Sequence, residues 1–353
     1  MRSTLAALVT TALLGAGLLA PPAAAATPPA AAPPVTPEQL VTLVPSRLVP
    51  SQPSPGDVRR ALARVARDSA GRVRLGVIGR SNEGRALRLA TVGHGPTRLL
   101  YVTQQHGDEP LGTPAAIRAL WALGVPDSAW HRALRSRVTI DVVVQANPDG
   151  AVRDQRWNHD PSASGEYAEP GVGYDINRYH NPLTPTGDNP VPEARAVLRW
   201  WHRTEPRIVV DYHMQGRYQQ PDGRETTASV LWPTSALVTP AAVTTGRQLA
   251  VRTDEATTRF PGAYVTRYPG GDYEGIARNG YGILGSASLL VELSALPHDR
   301  VEFQIRTAFA SMIATAQGAA DGSLWRTDPA RADRIPARGP ALPGLAATLH
   351  DAA

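Results

Sequence analysis

Short, almost purely apolar runs recur along this 353-residue chain, at residues 99–102 (LLYV), 138–145 (VTIDVVVQ), 208–212 (IVVDY) and 288–293 (SLLVEL). Runs this short and without helical periodicity read as strands buried on both faces. Helical patterns separate them, at 113–123, 193–202, 241–258 and 301–316. Strands that alternate with helices imply one α/β domain around a mainly parallel sheet.

The stretch before the first buried strand has its own pattern. Thr36-Pro37-Glu38-Gln39 has the form of a helix start, with a threonine cap, proline in the first turn and glutamine three residues on. Prolines at 45, 50, 53 and 55 stop that helix early, and residues 57–66 resume a helical pattern with Val58, Leu62 and Val65 on one face. Residues 72–78 and 86–91 alternate apolar and polar around Ser81-Asn82-Glu83-Gly84, the signature of a hairpin. Farther on, Asn147-Pro148-Asp149-Gly150 reads as a turn, 151–192 as a long loop, and 260–281 as a glycine-rich loop. Loops that long inside a compact domain usually carry function.

The two ends read differently. Arg2, an apolar run over 5–19 and Ala23-Ala24-Ala25-Ala26 have the form of a secretory signal peptide over 1–26, followed by an Ala/Pro-rich spacer over 27–36. The folded domain is expected over 37–326 and a Pro/Ala/Arg-rich tail over 327–353. No later run is long enough to span a membrane, so the expected product is exported, soluble and monomeric. It has no cysteine, and a domain of roughly 300 residues buries enough surface to fold without disulfides. Net charge is +5, carried by arginine alone because no lysine occurs. The arginines are scattered, which argues against a nucleic-acid surface; a basic exported protein remains suited to anionic or cell-wall peptides.

Chemistry gathers where the apolar runs end. His106 and Glu109, spaced His-x-x-Glu, follow the 99–102 strand, and His213 follows the 208–212 strand in the same way. Strand carboxyl ends are where open α/β sheets bind ligands, and two imidazoles with a carboxylate are a donor set that catalytic zinc accepts. Glu292 stands inside an apolar strand, where an ionised carboxylate is costly unless a cation lies nearby.

These motifs together resemble the zinc metallocarboxypeptidase family, the relatives of carboxypeptidase A, over about residues 79–296, starting at the lead-in Gly79-Arg80-Ser81-Asn82-Glu83-Gly84-Arg85. The resemblance implies a single-domain three-layer α/β/α fold with a mixed, mainly parallel central sheet. It implies one zinc ion per chain, held by His106, Glu109 and His213, with water in the fourth position. Glu292 takes the place of the general base for attack of that water on the scissile carbonyl. Arg156 takes the place of the arginine that polarises the carbonyl, with Arg153 as a rival. In Asp175-Ile176-Asn177-Arg178, the asparagine and arginine would bind the substrate's terminal carboxylate and Asp175 would orient His106. Tyr268 takes the place of the tyrosine that closes over substrate, with Tyr273 and Tyr281 as rivals, and His180 is expected to be a loop histidine and not a ligand.

Two departures from the family pattern bear on substrate choice: Tyr179 after Asn177-Arg178, and an insertion between Asn158 and Tyr174. Asp272 and Glu274 fall near the family's specificity pocket, where they would favour basic C-terminal residues. The implied activity is a secreted carboxypeptidase acting on peptides or proteins with a free C-terminal carboxylate. The same zinc cradle also serves amidases of cell-wall peptides and amide deacylases, and a non-catalytic peptide-binding relative is the remaining alternative. The latter would be expected to lack a ligand or the glutamate, and this chain has all four residues.

Overall fold

The computed structural model of the protein describes residues 35–342. The expected signal peptide, nearly all of the spacer and the last eleven residues lie outside that range. The described strands are β1 (Val73–Arg80), β2 (Ala86–Gly93), β3 (Thr97–Thr103), β4 (Val138–Val144), β5 (Ala168–Glu169), β6 (Gly173–Tyr174), β7 (Ile208–Gln215), β8 (Ala228–Leu231), β9 (Val265–Arg267) and β10 (Ala287–Ser294). The helices are α1 (Pro37–Val41), α2 (Pro55–Asp68), α3 (Gly112–Gly124), α4 (Ala129–Arg137), α5 (Pro148–Arg153), α6 (Pro192–Thr204), α7 (Pro240–Thr257), α8 (Ala277–Ile283), α9 (Val301–Asp321) and α10 (Ser323–Arg326). Thr36 and Ser54 cap α1 and α2 with reciprocal side-chain and backbone bonds, the capping box the sequence of α1 announces.

Eight strands form one mixed sheet in the order β1-β2-β4-β3-β7-β10-β8-β9. Its centre, β4-β3-β7-β10, is parallel. Side chains alternate across the sheet as strand geometry requires. Leu99 and Tyr101 of β3 join one apolar core with α3, α7 and α9, whereas Leu100 and Val102 join a second core with α6 and α8. Both faces are thus covered, which explains why β3, β4, β7 and β10 read as continuous apolar runs.

The topology also places the site. From β3 the chain crosses to β4 on one side, then returns by way of α6 to β7 on the other side of β3. The crevice at the carboxyl ends of β3 and β7 is therefore a point where strand order reverses, the usual ligand position in such sheets. Among the described residues, no helix is long and apolar enough to cross a membrane.

Several local expectations need correction. Asn147-Pro148-Asp149-Gly150 does not end as a turn: Asn147 Oδ1 accepts the Gly150 N–H at 2.8 Å and caps helix α5, with Pro148 in its first turn. The 151–192 loop contains the β5/β6 pair and a 3-10 turn over Ile176–Arg178. The 260–281 loop contains β9 and most of α8. Strand β7 runs on to Gln215, so His213 lies within its last turn of pleat and not beyond it. Residues 327–342, read as tail, pack on the domain: Ala332 and Ile335 join the first core, and Arg267 and Tyr218 form β-bridges to Ala337 and Ala341.

Candidate active site

Gln104, the residue after β3, adopts a left-handed backbone conformation (φ 55°) that few non-glycine residues tolerate. Its side chain stabilises the bend, donating to the Gly107 carbonyl at 2.7 Å and accepting from Thr113 at 2.9 Å. Gly107 lies directly on the backbone of Gly150 and Ala151, so a Cβ there would overlap them. The strand exit is thereby folded back, and His106 and Glu109 point to the end of β7.

There they meet His213. Glu109 spans the two rings, with Oε1 2.7 Å from His106 Nδ1 and Oε2 2.9 Å from His213 Nδ1. The Met214 backbone N–H also donates to Oε2 at 2.9 Å. The outer nitrogens have carboxylate partners: His106 Nε2 donates to Asp175 Oδ1 (3.0 Å) and His213 Nε2 to Asp211 Oδ2 (2.8 Å). With the Nε2 protons given to carboxylates, both rings turn Nδ1 lone pairs inward, 3.1 Å apart. Three electron-rich groups this close repel one another unless a cation lies among them. The three residues are buried and their ligand atoms lie within 4.8 Å of one another, so the set fits one divalent ion. When the two rings instead carry a second proton, their charges take the cation's place: they outweigh the effect of burial, which would raise the pKa of Glu109, and hold the carboxyl well below its usual range.

Glu292 comes from β10, where it pairs in register with His213. Its Oε2 is buried without a hydrogen-bond partner among the described residues. Burial pushes its pKa up to about 7. A second buried carboxylate beside Glu109, with an atom left unmatched, again fits a site built around a cation.

Arg156 and not Arg153 reaches this centre. Arg153 lies at the surface and binds Glu83 at 2.6 and 2.8 Å. Arg156 is 8 % exposed, donates to Asp175 Oδ2 from Nε and Nη2 (3.2 and 2.8 Å), and brings Nη1 within 3.2 Å of His106 Nδ1. Asp175 therefore joins His106 to Arg156 and also caps the 3-10 turn, accepting the Asn177 N–H at 3.0 Å. Burial opposes its ionisation, but Arg156 and His106 keep its pKa well below the normal value. Asn177 and Arg178 are buried at the same place, and Asn177 Oδ1 accepts the N–H of Ala277 at the start of α8 (2.9 Å).

Tyr268 follows β9, half-buried, its ring 4.7 Å from the Arg338 guanidinium. Of its rivals, Tyr281 is fully buried, with its hydroxyl 2.8 Å from His180, and Tyr273 stacks on Tyr167. His180 is not part of the cradle. It links Tyr281 to Gln105, which donates to Asp211 Oδ2 at 2.6 Å, so a buried chain of hydrogen bonds backs His213. Asp211 was not among the residues the sequence singled out, although its place two residues before His213 puts both on one face of a strand. Arg278 and Arg338 were missed as well, and no motif marks either.

Residues 58–230 match the family model described as zinc carboxypeptidase, a span that includes His106, Glu109, Arg156, Asp175, Asn177, Arg178 and His213 and ends before Glu292. No curated protein matches the chain significantly. Solved structures do. A metallo-carboxypeptidase from Burkholderia cenocepacia is 20% identical, with 75% of this chain and 69% of that chain covered and a TM-score of 0.55. Carboxypeptidase A from Helicoverpa armigera is 18% identical over 81% of this chain and 80% of that one, with a TM-score of 0.58. A metallo-carboxypeptidase from Pseudomonas aeruginosa, solved with (2-guanidinoethylmercapto)succinic acid, is 20% identical over 74% and 69%, with a TM-score of 0.52. Residues 58–230 thus match the zinc carboxypeptidase family, the fold around them is that of solved metallocarboxypeptidases, and the buried His106-Glu109-His213 cluster lies within the matched span.

Proposed function

We propose that the protein is an exported zinc carboxypeptidase that removes residues one at a time from the free C-terminus of peptides. The observation that carries this reading is the meeting, in one buried crevice, of the His106-Glu109-His213 cradle, the unmatched carboxylate of Glu292 and the Asn177-Arg178 pair. His106 and His213 through Nδ1 and Glu109 through its carboxylate would hold one zinc ion, which when bound supplies Lewis acidity and makes a water molecule acidic at neutral pH.

The remaining roles belong to the chain. Asn177 and Arg178 bind the terminal carboxylate, for which the planar guanidinium fork is suited. That contact fixes the last peptide bond over Glu292. Glu292 Oε2 accepts a proton from the attacking water and returns it to the leaving amine, as a buried base free of competing donors can. Arg156, held by Asp175, offers Nη1 to the carbonyl oxygen as negative charge develops there. Tyr268 covers the bound residue from the rim. All these groups come from one chain, so a monomer suffices. Export rests on the character of residues 1–26.

Digestion of a defined peptide by zinc-loaded protein, followed by mass spectrometry, tests the reading. The expected result is a ladder of losses from the C-terminus that stops when a chelator is added. Cleavage at internal bonds, or release of an amide-linked group with the C-terminus intact, would move the protein to the amidase alternative.

A further inference from the structure

Arg278 is the second residue of α8 and only 2 % exposed. Its guanidinium has no carboxylate within 4.0 Å among the described residues. What it does have is neutral: Nη2 donates to the Gly271 carbonyl and to Thr234 Oγ1 (3.3 Å), and Nε is buried without a hydrogen-bond partner among the described residues. A buried cation left with a carbonyl and a hydroxyl is costly unless a ligand completes it.

Its position says which ligand. The residue before it, Ala277, gives its N–H to Asn177, and Gly275 fits against the Arg178 carbonyl so closely that a Cβ would overlap it. Arg278 is therefore built onto the Asn177-Arg178 pair. The charges that act on it at neutral pH come from Arg178, Glu292 and Asp272, so it is within electrostatic reach of both the carboxylate-binding arginine and the base. The loop 268–275 closes over it, with Gly270 packed on the guanidinium, where a Cβ would overlap Arg278 Nη2 and Leu231 Cδ2. Burial lowers its pKa to about 10, which leaves it charged at neutral pH.

We infer that Arg278 recognises an acidic side chain on the C-terminal residue of the substrate, so that the enzyme prefers peptides ending in glutamate or aspartate. This rests on the carboxypeptidase reading and makes it more specific. A peptide whose α-carboxylate lies on Asn177-Arg178 has its last side chain beside α8, and a second carboxylate there supplies the missing partner. The sequence-based expectation pointed the other way, through Asp272 and Glu274. Asp272, however, is exposed and Glu274 only half-buried, so water screens them, whereas Arg278 is desolvated and keeps nearly its full effect.

The test is kcat/KM on peptides identical except for a last residue of Glu, Gln, Leu or Lys, each as free acid and as amide. The parent enzyme should cleave the Glu acid at least ~30-fold faster than the Gln acid, since a charge-assisted pair in a desolvated site is at stake. In Arg278→Gln that ratio should fall towards one. Glutamate should also inhibit the parent more strongly than glutamine, a comparison that needs no variant to fold. A parent that cleaves acids but not amides, with Gln, Leu or Lys preferred over Glu, overturns the assignment to Arg278 and leaves the carboxypeptidase reading intact. A parent that cleaves acids and amides alike overturns both.

Discussion

The cradle at the ends of β3 and β7 and the wall formed by residues 268–278 are both buried and both charged, yet they handle charge in opposite ways. In the cradle each ionisable group answers another: Asp175 and Asp211 hold the outer nitrogens of His106 and His213, Glu109 bridges the inner ones, and Arg156 binds Asp175. In the wall, Arg278 is met, among the described residues, only by a carbonyl and a hydroxyl. Charges matched within the protein fix geometry, because each partner limits where the other can point. A charge matched only by neutral groups leaves its strongest interaction to whatever binds. The first arrangement suits a resident ion and the second suits a substrate that must come and go.

Removing a member of the matched set should have the largest effect. His213→Ala leaves Glu109 and Asp211 without their common partner and should cut zinc from about one equivalent to a small fraction, abolishing activity. Arg278→Gln, by contrast, should keep its zinc, since deleting an unpaired buried charge leaves no partner stranded. Metal analysis of the two purified variants checks this; zinc loss from both would erase the distinction between the regions.

Glu292→Gln probes a carboxylate of the crevice that the cradle does not match. It should retain zinc and lose roughly 10²–10⁴ in kcat, the usual contribution of a general base. Parent-like turnover in that variant would place the base elsewhere, and zinc loss would make Glu292 a ligand.

A smaller effect is expected at Glu193, on α6. This residue shares with Arg278 a buried charge met by neutral groups, Asn158 Nδ2 at 3.0 Å and the Asn82 N–H at 3.4 Å, but it has no substrate to meet. Burial raises its pKa from 4.5 to about 7. The unfolded chain therefore ionises at lower pH than the folded one, and the stability this group contributes below pH ~4.5 is lost as pH rises to about 7. Glu193→Gln should remove that slope and stabilise the protein at pH 8 by on the order of 1–3 kcal/mol, read from thermal unfolding at pH 5 and pH 8. An equal pH slope in parent and variant would mean that Asn158 and Asn82 already compensate the charge.

The matched region was the more legible in the sequence, for a physical reason. Strands β3, β4, β7 and β10 are buried on both faces, so their residues form apolar runs that stand out, and the polar residues at their ends stand out by contrast. His106, Glu109, His213 and Glu292 were visible on that ground, and the resemblance added Arg156, Asp175, Asn177 and Arg178. The wall offered no such contrast. Strands β8 and β9 are four and three residues long, too short for a pattern, and α8 begins Ala-Arg-Asn-Gly, a composition that reads as loop. That Arg278 is buried depends on tertiary closure by residues 268–275, which local sequence does not encode. Residues 327–342 looked like a tail because few of them are apolar, yet Ile335 in the core and Arg338 stacked 3.7 Å from Tyr218 attach them to the domain.

The claim on which the rest depends is that Asn177 and Arg178 hold a free C-terminal carboxylate beside the hydrolytic centre. It is tested most directly by kcat/KM for four combinations: parent and Arg178→Ala, each with one peptide as free acid and as amide. The account predicts that the parent loses roughly 30-fold to several thousand-fold on going from acid to amide. Arg178→Ala should lose a similar factor on the acid and little on the amide, so the two changes are strongly non-additive. Equal cleavage of acid and amide by the parent, or simple additivity of the two losses, would contradict it.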